Sequence, residues 1–93
     1  MKITFEPAAR EELEGIFEWI KKDNARAAYE MVTRIEAKIA RLATPALKHM
    51  GRAGRDTGTR ELIEYPYIIV YEIHVDRGEI VVLAVVHGAQ DRE

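Results

Sequence analysis

The sequence predicts an α+β domain whose elements run β-α-α-β-β-β, and three observations predict it. From Gly58 to Gly88, β-branched and aromatic residues dominate runs that turn formers separate. Before that stretch, from Ala8 to Ala43, apolar residues recur at helical spacing. Those helices must bury an apolar face, and the sheet is the partner the chain offers them.

The 93 residues suit one domain, 1–93, with a single thin core. Lys and Arg number 14 against 16 for Asp and Glu, a net charge of -2, which excludes binding polyanions by bulk charge. The chain lacks cysteine, which excludes a disulfide framework or a zinc-thiolate centre and suits a reducing cytoplasm. Its opening, Met1-Lys2-Ile3-Thr4-Phe5, turns acidic at Glu6, unlike a signal peptide. No apolar run approaches the roughly 20 residues that span a bilayer. The expectation is a soluble cytoplasmic protein without membrane contact.

Lys2 to Phe5 reads as a short strand, with Ile3 and Phe5 on one face. Pro7 suits the first turn of a helix, where its missing N–H costs nothing. From Ala8 to Lys22, Leu13, Ile16, Phe17 and Ile20 form the apolar stripe. Glu11, Glu12, Glu14 and Glu18 fill the other positions and Lys21 and Lys22 close the last turn, an order that suits the helix dipole. Trp19 lies off the stripe. It either flanks the core under a loop or contacts a partner, as interface aromatics do.

Asn24 is the predicted cap of a second helix, Ala25 to Ala43, with Ala28, Met31, Val32, Ile35, Ile39 and Leu42 inward. The short turn makes the pair an antiparallel hairpin, and Thr44-Pro45 ends it. Residues 46–58, with three glycines, read as a loop. With Arg60 added, Lys48, Arg52, Arg55 and Arg60 face only Asp56, a local charge of about +3. Such a loop is either simply solvated or turned toward an anionic macromolecule.

Three strands complete the chain. In the middle one, Tyr67, Ile69, Tyr71, Ile73 and Val75 share one face, and Ile68, Val70, Glu72 and His74 the other. The last strand is apolar on both faces from Ile80 to Val86, the mark of an interior strand.

Motifs for bond-breaking chemistry are sparse. Gly51-Arg52-Ala53-Gly54 lacks the Lys-Ser/Thr ending of a phosphate loop, and the chain has neither serine nor cysteine as nucleophile. His49, His74 and His87 are too dispersed to suggest a metal site, and no cofactor is implied. What remains is an RNA-cleaving set, with His87 moving a proton and Arg60 holding phosphate beside Lys48 or Arg52. A lone histidine at a strand end is more often structural.

Three segments carry a family resemblance: Gly58-Thr59-Arg60-Glu61-Leu62, Tyr65-Pro66-Tyr67-Ile68-Ile69-Val70-Tyr71, and Val85-Val86-His87-Gly88-Ala89-Gln90. Together with Ile20-Lys21-Lys22-Asp23-Asn24-Ala25 and Gly51-Arg52-Ala53-Gly54-Arg55, they resemble, in order, the ParE branch of the ParE/RelE toxin superfamily. The resemblance covers essentially the whole chain. It implies a RelE/ParE-like fold, with the helical hairpin packed on a small, mostly antiparallel sheet. It also implies the toxin half of a bacterial type II toxin–antitoxin pair of the plasmid-stabilisation kind, causing growth arrest until a ParD-like antitoxin binds it in a hetero-oligomer. ParE-like members inhibit DNA gyrase, whereas RelE-like members cleave messenger RNA on the ribosome.

Two departures favour the gyrase-directed, non-hydrolytic reading. The last strand carries Leu83-Ala84-Val85 where many relatives have an arginine, and no tyrosine follows His87. On that reading Arg52, Arg55, Arg60, His87 and Gln90 contact the target, while Trp19 and Tyr29 contact the antitoxin. The alternatives are a ribosome-dependent nuclease using Arg60 and His87, and an inactive toxin-like module acting as an antitoxin-bound co-repressor.

Overall fold

The computed structural model describes residues 1–91, and all their side chains except those of Pro45, Gln90 and Asp91. Strand β1 (Lys2–Phe5) leads into helix α1 (Pro7–Lys21) and helix α2 (Ala25–Arg41). After a 3-10 turn at Pro45–Leu47 come β2 (Arg52–Ala53), β3 (Thr59–Glu64), β4 (Tyr67–His74) and β5 (Glu79–His87), then a single helical turn, α3 (Gly88–Asp91). The sheet runs β1-β5-β4-β3-β2, with β1 parallel to β5 and every other pair antiparallel. This is the α+β arrangement that the element order predicts.

The helices begin where local chemistry says they should. Pro7 occupies the first turn of α1, and Asn24 caps α2 by accepting a 2.9 Å hydrogen bond from the Ala27 amide. The first turn of α1 holds no acidic residue, so its dipole is matched only at the far end, by Lys21. Leu13 and Ile16 of α1 and Ala28, Ile35 and Ile39 of α2 are buried, while Phe17, Ile20, Met31 and Val32 are half-buried at the margin. Across from them lie Leu62, Ile69, Tyr71, Ile80, Val82 and Val85. Helix α2 ends at Arg41, two residues before the predicted Ala43, and Leu42 still reaches the core.

Two details differ from the sequence expectation. The segment 46–58 is not all loop, because Arg52 and Ala53 pair with Glu61 and Arg60. Gly51 permits this: a Cβ there would run into the carbonyl oxygen of Glu61. Val75 does not continue the β4 face. It lies in the 3-10 turn Val75–Arg77, is exposed, and is followed by Gly78 at φ +60°.

A register shift between Val70 and Tyr71 leaves Leu83 as an extra residue on β5. Both Val82, opposite Tyr71, and Val85, opposite Ile69, therefore face the helices, although three residues apart. The bulge falls where β5 loses its outer neighbour: β1 pairs only with Glu79 to Val82.

Candidate functional site

The pairing register decides where the basic residues point. Arg60 stands opposite Tyr71 and shares its face with Leu62, so it points to the helix side of the sheet. Arg52 stands opposite Glu61, on the other face. Arg55 is exposed in the turn between β2 and β3. The basic residues therefore surround one hairpin but do not share one face.

Arg60 is committed to the fold. Its Nη2 donates to the carbonyl of His49 at 2.9 Å and to that of Gly51, and its Nε is buried without a partner. Beside it the fully buried Tyr71 donates its hydroxyl to the Lys48 carbonyl at 2.8 Å and accepts from the Gly51 amide at 3.4 Å. Two side chains thus pin residues 48–51 onto β3 and β4. Arg52 Nη2 lies 2.9 Å from Glu61 Oε1, and Glu61 is only 3% exposed, so its charge needs that cation.

The outer face of the sheet is no cationic platform. His74 meets Glu72 at 3.0 Å and Arg77 meets Glu79 at 3.1 Å. The hydroxyl of Thr4 donates to Glu79 at 2.6 Å, and this bond, with the charges of Arg77, Lys2 and His74, holds the Glu79 carboxyl below its ordinary pKa. Between these pairs the face shows half-buried Val70, Ala84 and Val86.

His87 lies at the other end of the sheet from the hairpin turn. It stands opposite Tyr67, the two rings meeting edge to face with centroids 5.6 Å apart, and its Nδ1 accepts from the Ala89 amide at 3.1 Å. Burial pushes the Tyr67 phenol above its ordinary pKa, so it is a neutral ring at physiological pH. From Arg60 to His87 the register runs four residues along and two strands across, about 16 Å between backbones. Buried Leu62, Ile69 and Tyr71 share that face between them. These two residues do not meet at one phosphate.

His87 instead borders a cleft of about 560 Å³ between α1 and the end of β5. Gly15, Ile16, Trp19 and Val85 line it as well. Trp19 is 68% exposed, with Lys22 Nζ 5.2 Å from its ring centroid, so it packs under no loop. Tyr29, on α2, is equally open at 67%. The side chain of Gln90 lies outside the described residues.

Sequence reasoning missed two features here. The inward direction of Arg60 was available from its parity with Leu62, since alternate strand residues share a face. Glu12, which also lines the cleft, stands with Gly15, Ile16 and Trp19 at the i, i+3, i+4, i+7 spacing of one helix face. Among the described residues no group of three or more His, Asp or Glu is placed to hold a metal ion. No described helix is long and apolar enough to cross a membrane.

Comparison with known proteins gives this geometry a context. Residues 3–92 match the family described as the ParE toxin of the type II toxin–antitoxin system parDE. The Y4kP protein of Sinorhizobium fredii, which carries the name of a toxin, is 41% identical over 81 residues, covering 84% of this chain and 78% of its own. The fold superposes on a chain of the chromosomal ParDE toxin–antitoxin system of P. aeruginosa, with a TM-score of 0.79 at 20% identity, over 94% of this chain and 95% of that one. It also superposes on a chain of the RelBE2 toxin–antitoxin complex of Mycobacterium tuberculosis, with a TM-score of 0.61 at 23% identity, over 92% and 95%.

Proposed function

The chain belongs to the ParE toxin family of type II toxin–antitoxin systems, and we propose that it arrests growth by binding DNA gyrase, with a ParD-like antitoxin neutralising it in a hetero-oligomeric complex. The observation that carries the non-hydrolytic reading is the separation of Arg60 from His87. General acid–base cleavage needs the proton carrier within hydrogen-bond reach of the group it serves. Here the cation is spent on two backbone carbonyls, and the backbone of His87 lies about 16 Å from that of Arg60, with buried side chains on the face between them.

The target surface in this reading is the β2–β3 hairpin, where Arg52 and Arg55 stand exposed. His87 and Gln90 belong to the opposite end of the sheet. Mapping messenger 5′ ends in cells that express the chain tests the reading. Growth arrest without new ends is expected; codon-specific cuts in translated messages would overturn it.

The antitoxin is assigned to the exposed rings of Trp19 and Tyr29. Large aromatics that remain open on a folded domain are the usual anchors of a partner. Replacing both with alanine is expected to weaken the antitoxin complex by about 2 kcal/mol or more. The melting temperature of the free chain should hardly move, since neither ring is buried. Calorimetric titration and a thermal melt check the two halves; unchanged affinity would remove these rings from the interface.

A further inference from the structure

We propose that helix α2 presents a phosphate-binding ridge, made of Arg34, Lys38 and Arg41, that lies along the backbone of duplex DNA. The proposal rests on the gyrase reading and adds to it a direct contact between this chain and the DNA on which gyrase works.

The net charge of -2 hides a division. From Glu6 to Lys21, the stretch that enters and forms α1 carries five acidic residues and two basic ones. From Ala25 to Arg41, α2 carries four basic residues and two acidic ones. Both acidic residues of α2 are engaged elsewhere. Glu30 pairs with Arg26 at 3.4 Å, and Glu36 borders a groove between the helices together with Glu14, Phe17 and Glu18. The other three cations recur at i, i+4 and i+7, which places them on one ridge about 10 Å long.

That ridge faces the β2–β3 margin of the sheet. Arg34 Nε and Lys38 Nζ converge on Glu64, at the end of β3, at 3.5 and 3.4 Å, and Lys38 also donates to the Ile63 carbonyl at 2.7 Å. Beyond α2 the chain reaches Lys48, whose carbonyl accepts from Tyr71, and Tyr71 stands opposite Arg60 near the start of β3. The ridge therefore runs down beside β3 toward the hairpin that carries Arg52 and Arg55. Glu64 divides one negative charge between two cations. Arg41 is exposed and, among the described residues, forms no ion pair.

The surroundings of these cations select the ligand. Ala37 and Thr44, both small and exposed, flank the ridge. Tyr29, the one aromatic residue of α2, stands about 140° round the helix from Arg34. Charged residues are depleted from the cores of protein interfaces, where aromatic anchors dominate. A row of cations among small side chains suits instead a polymer whose charges repeat, and duplex DNA carries a phosphate every 3.4 Å or so along each strand. An unpaired strand would call for rings on which its bases stack. The acidic α1, which packs over β5 and β1, repels the same polymer, so the division of charge also orients the chain upon it.

Fluorescence anisotropy of a labelled duplex of about 20 base pairs, titrated with the purified chain at a series of salt concentrations, tests the ridge. Binding of micromolar strength or weaker, indifferent to base sequence, is expected, with log K falling against log salt at a slope of about -3. Arg34→Gln combined with Arg41→Gln should bring that slope to about -1 and weaken binding roughly tenfold. The melting temperature should hardly move, because both side chains are exposed. A duplex that fails to bind, or that binds the double variant equally well, overturns the ridge. So does a preference for ribosomal RNA over the DNA duplex. Supercoiling assays on the same preparation keep the two readings apart. Gyrase inhibition without duplex binding removes the ridge and leaves gyrase as the target; duplex binding without gyrase inhibition removes the gyrase reading and leaves a phosphate-binding ridge.

Discussion

Replacing Arg60 with alanine is expected to lower the stability of the domain by about 2 kcal/mol, because it removes a charged donor from two carbonyls at once. For a chain of this size that is a fall of roughly 10 °C in melting temperature. Residues 48–51 would keep the Tyr71 hydroxyl, which bonds Lys48 and Gly51, and the packing of Met50 on the core. Arg60→Lys separates this role from a target contact. Lysine keeps the charge but lacks the planar fork of donors, so it should be nearly as destabilising as alanine. If Arg60 instead served the target by charge alone, lysine would preserve both toxicity and the melting temperature. A thermal melt with amide exchange over residues 48–51 distinguishes the two.

The second large effect concerns activity and leaves the fold intact. Arg52→Gln combined with Arg55→Gln removes two charges from the hairpin while retaining a donor for the buried Glu61. If these arginines meet acidic groups of the target, losing them should cost about 2 kcal/mol or more, roughly a 30-fold weakening of gyrase inhibition. Glutamine keeps a hydrogen bond to Glu61 but not the charge that balances it, so the melting temperature should fall by several degrees while the domain stays folded. The loss at Arg55, exposed in the turn, should add little to that fall. Full inhibition by the double variant would move the target surface away from the hairpin.

These two variants also mark where the sequence is legible. The helices and β3, β4 and β5 are readable because each spans enough residues for its period to show, as with Leu13 and Ile16, or Leu62 beside Glu61. β2 is not, being two residues between glycines that loop statistics claim first. Nor is the bulge at Leu83, because Ile80 to Val86 is apolar on both faces and no alternation exists for it to break.

The candidate site is legible in its residue types and not in its arrangement. Lys48, Arg52, Arg55 and Arg60 crowd one segment, so a local count sees a single basic patch. Whether they share a face depends on the parity of β3 against β2, a pairing that sends Arg52 and Arg60 to opposite sides of the sheet. His87 follows the same lesson. Its distance from Arg60 is set by how β5 lies beside β4, which no motif near either residue encodes. Trp19 and Tyr29 depend only on helical geometry, and there the off-stripe positions do correspond to exposed rings.

The most direct test of the account is a supercoiling assay with purified gyrase and the purified chain, repeated after adding the antitoxin. Dose-dependent loss of supercoiling that the antitoxin reverses is the predicted result. Gyrase that works undisturbed, while the same preparation cuts messenger RNA on ribosomes, would contradict it.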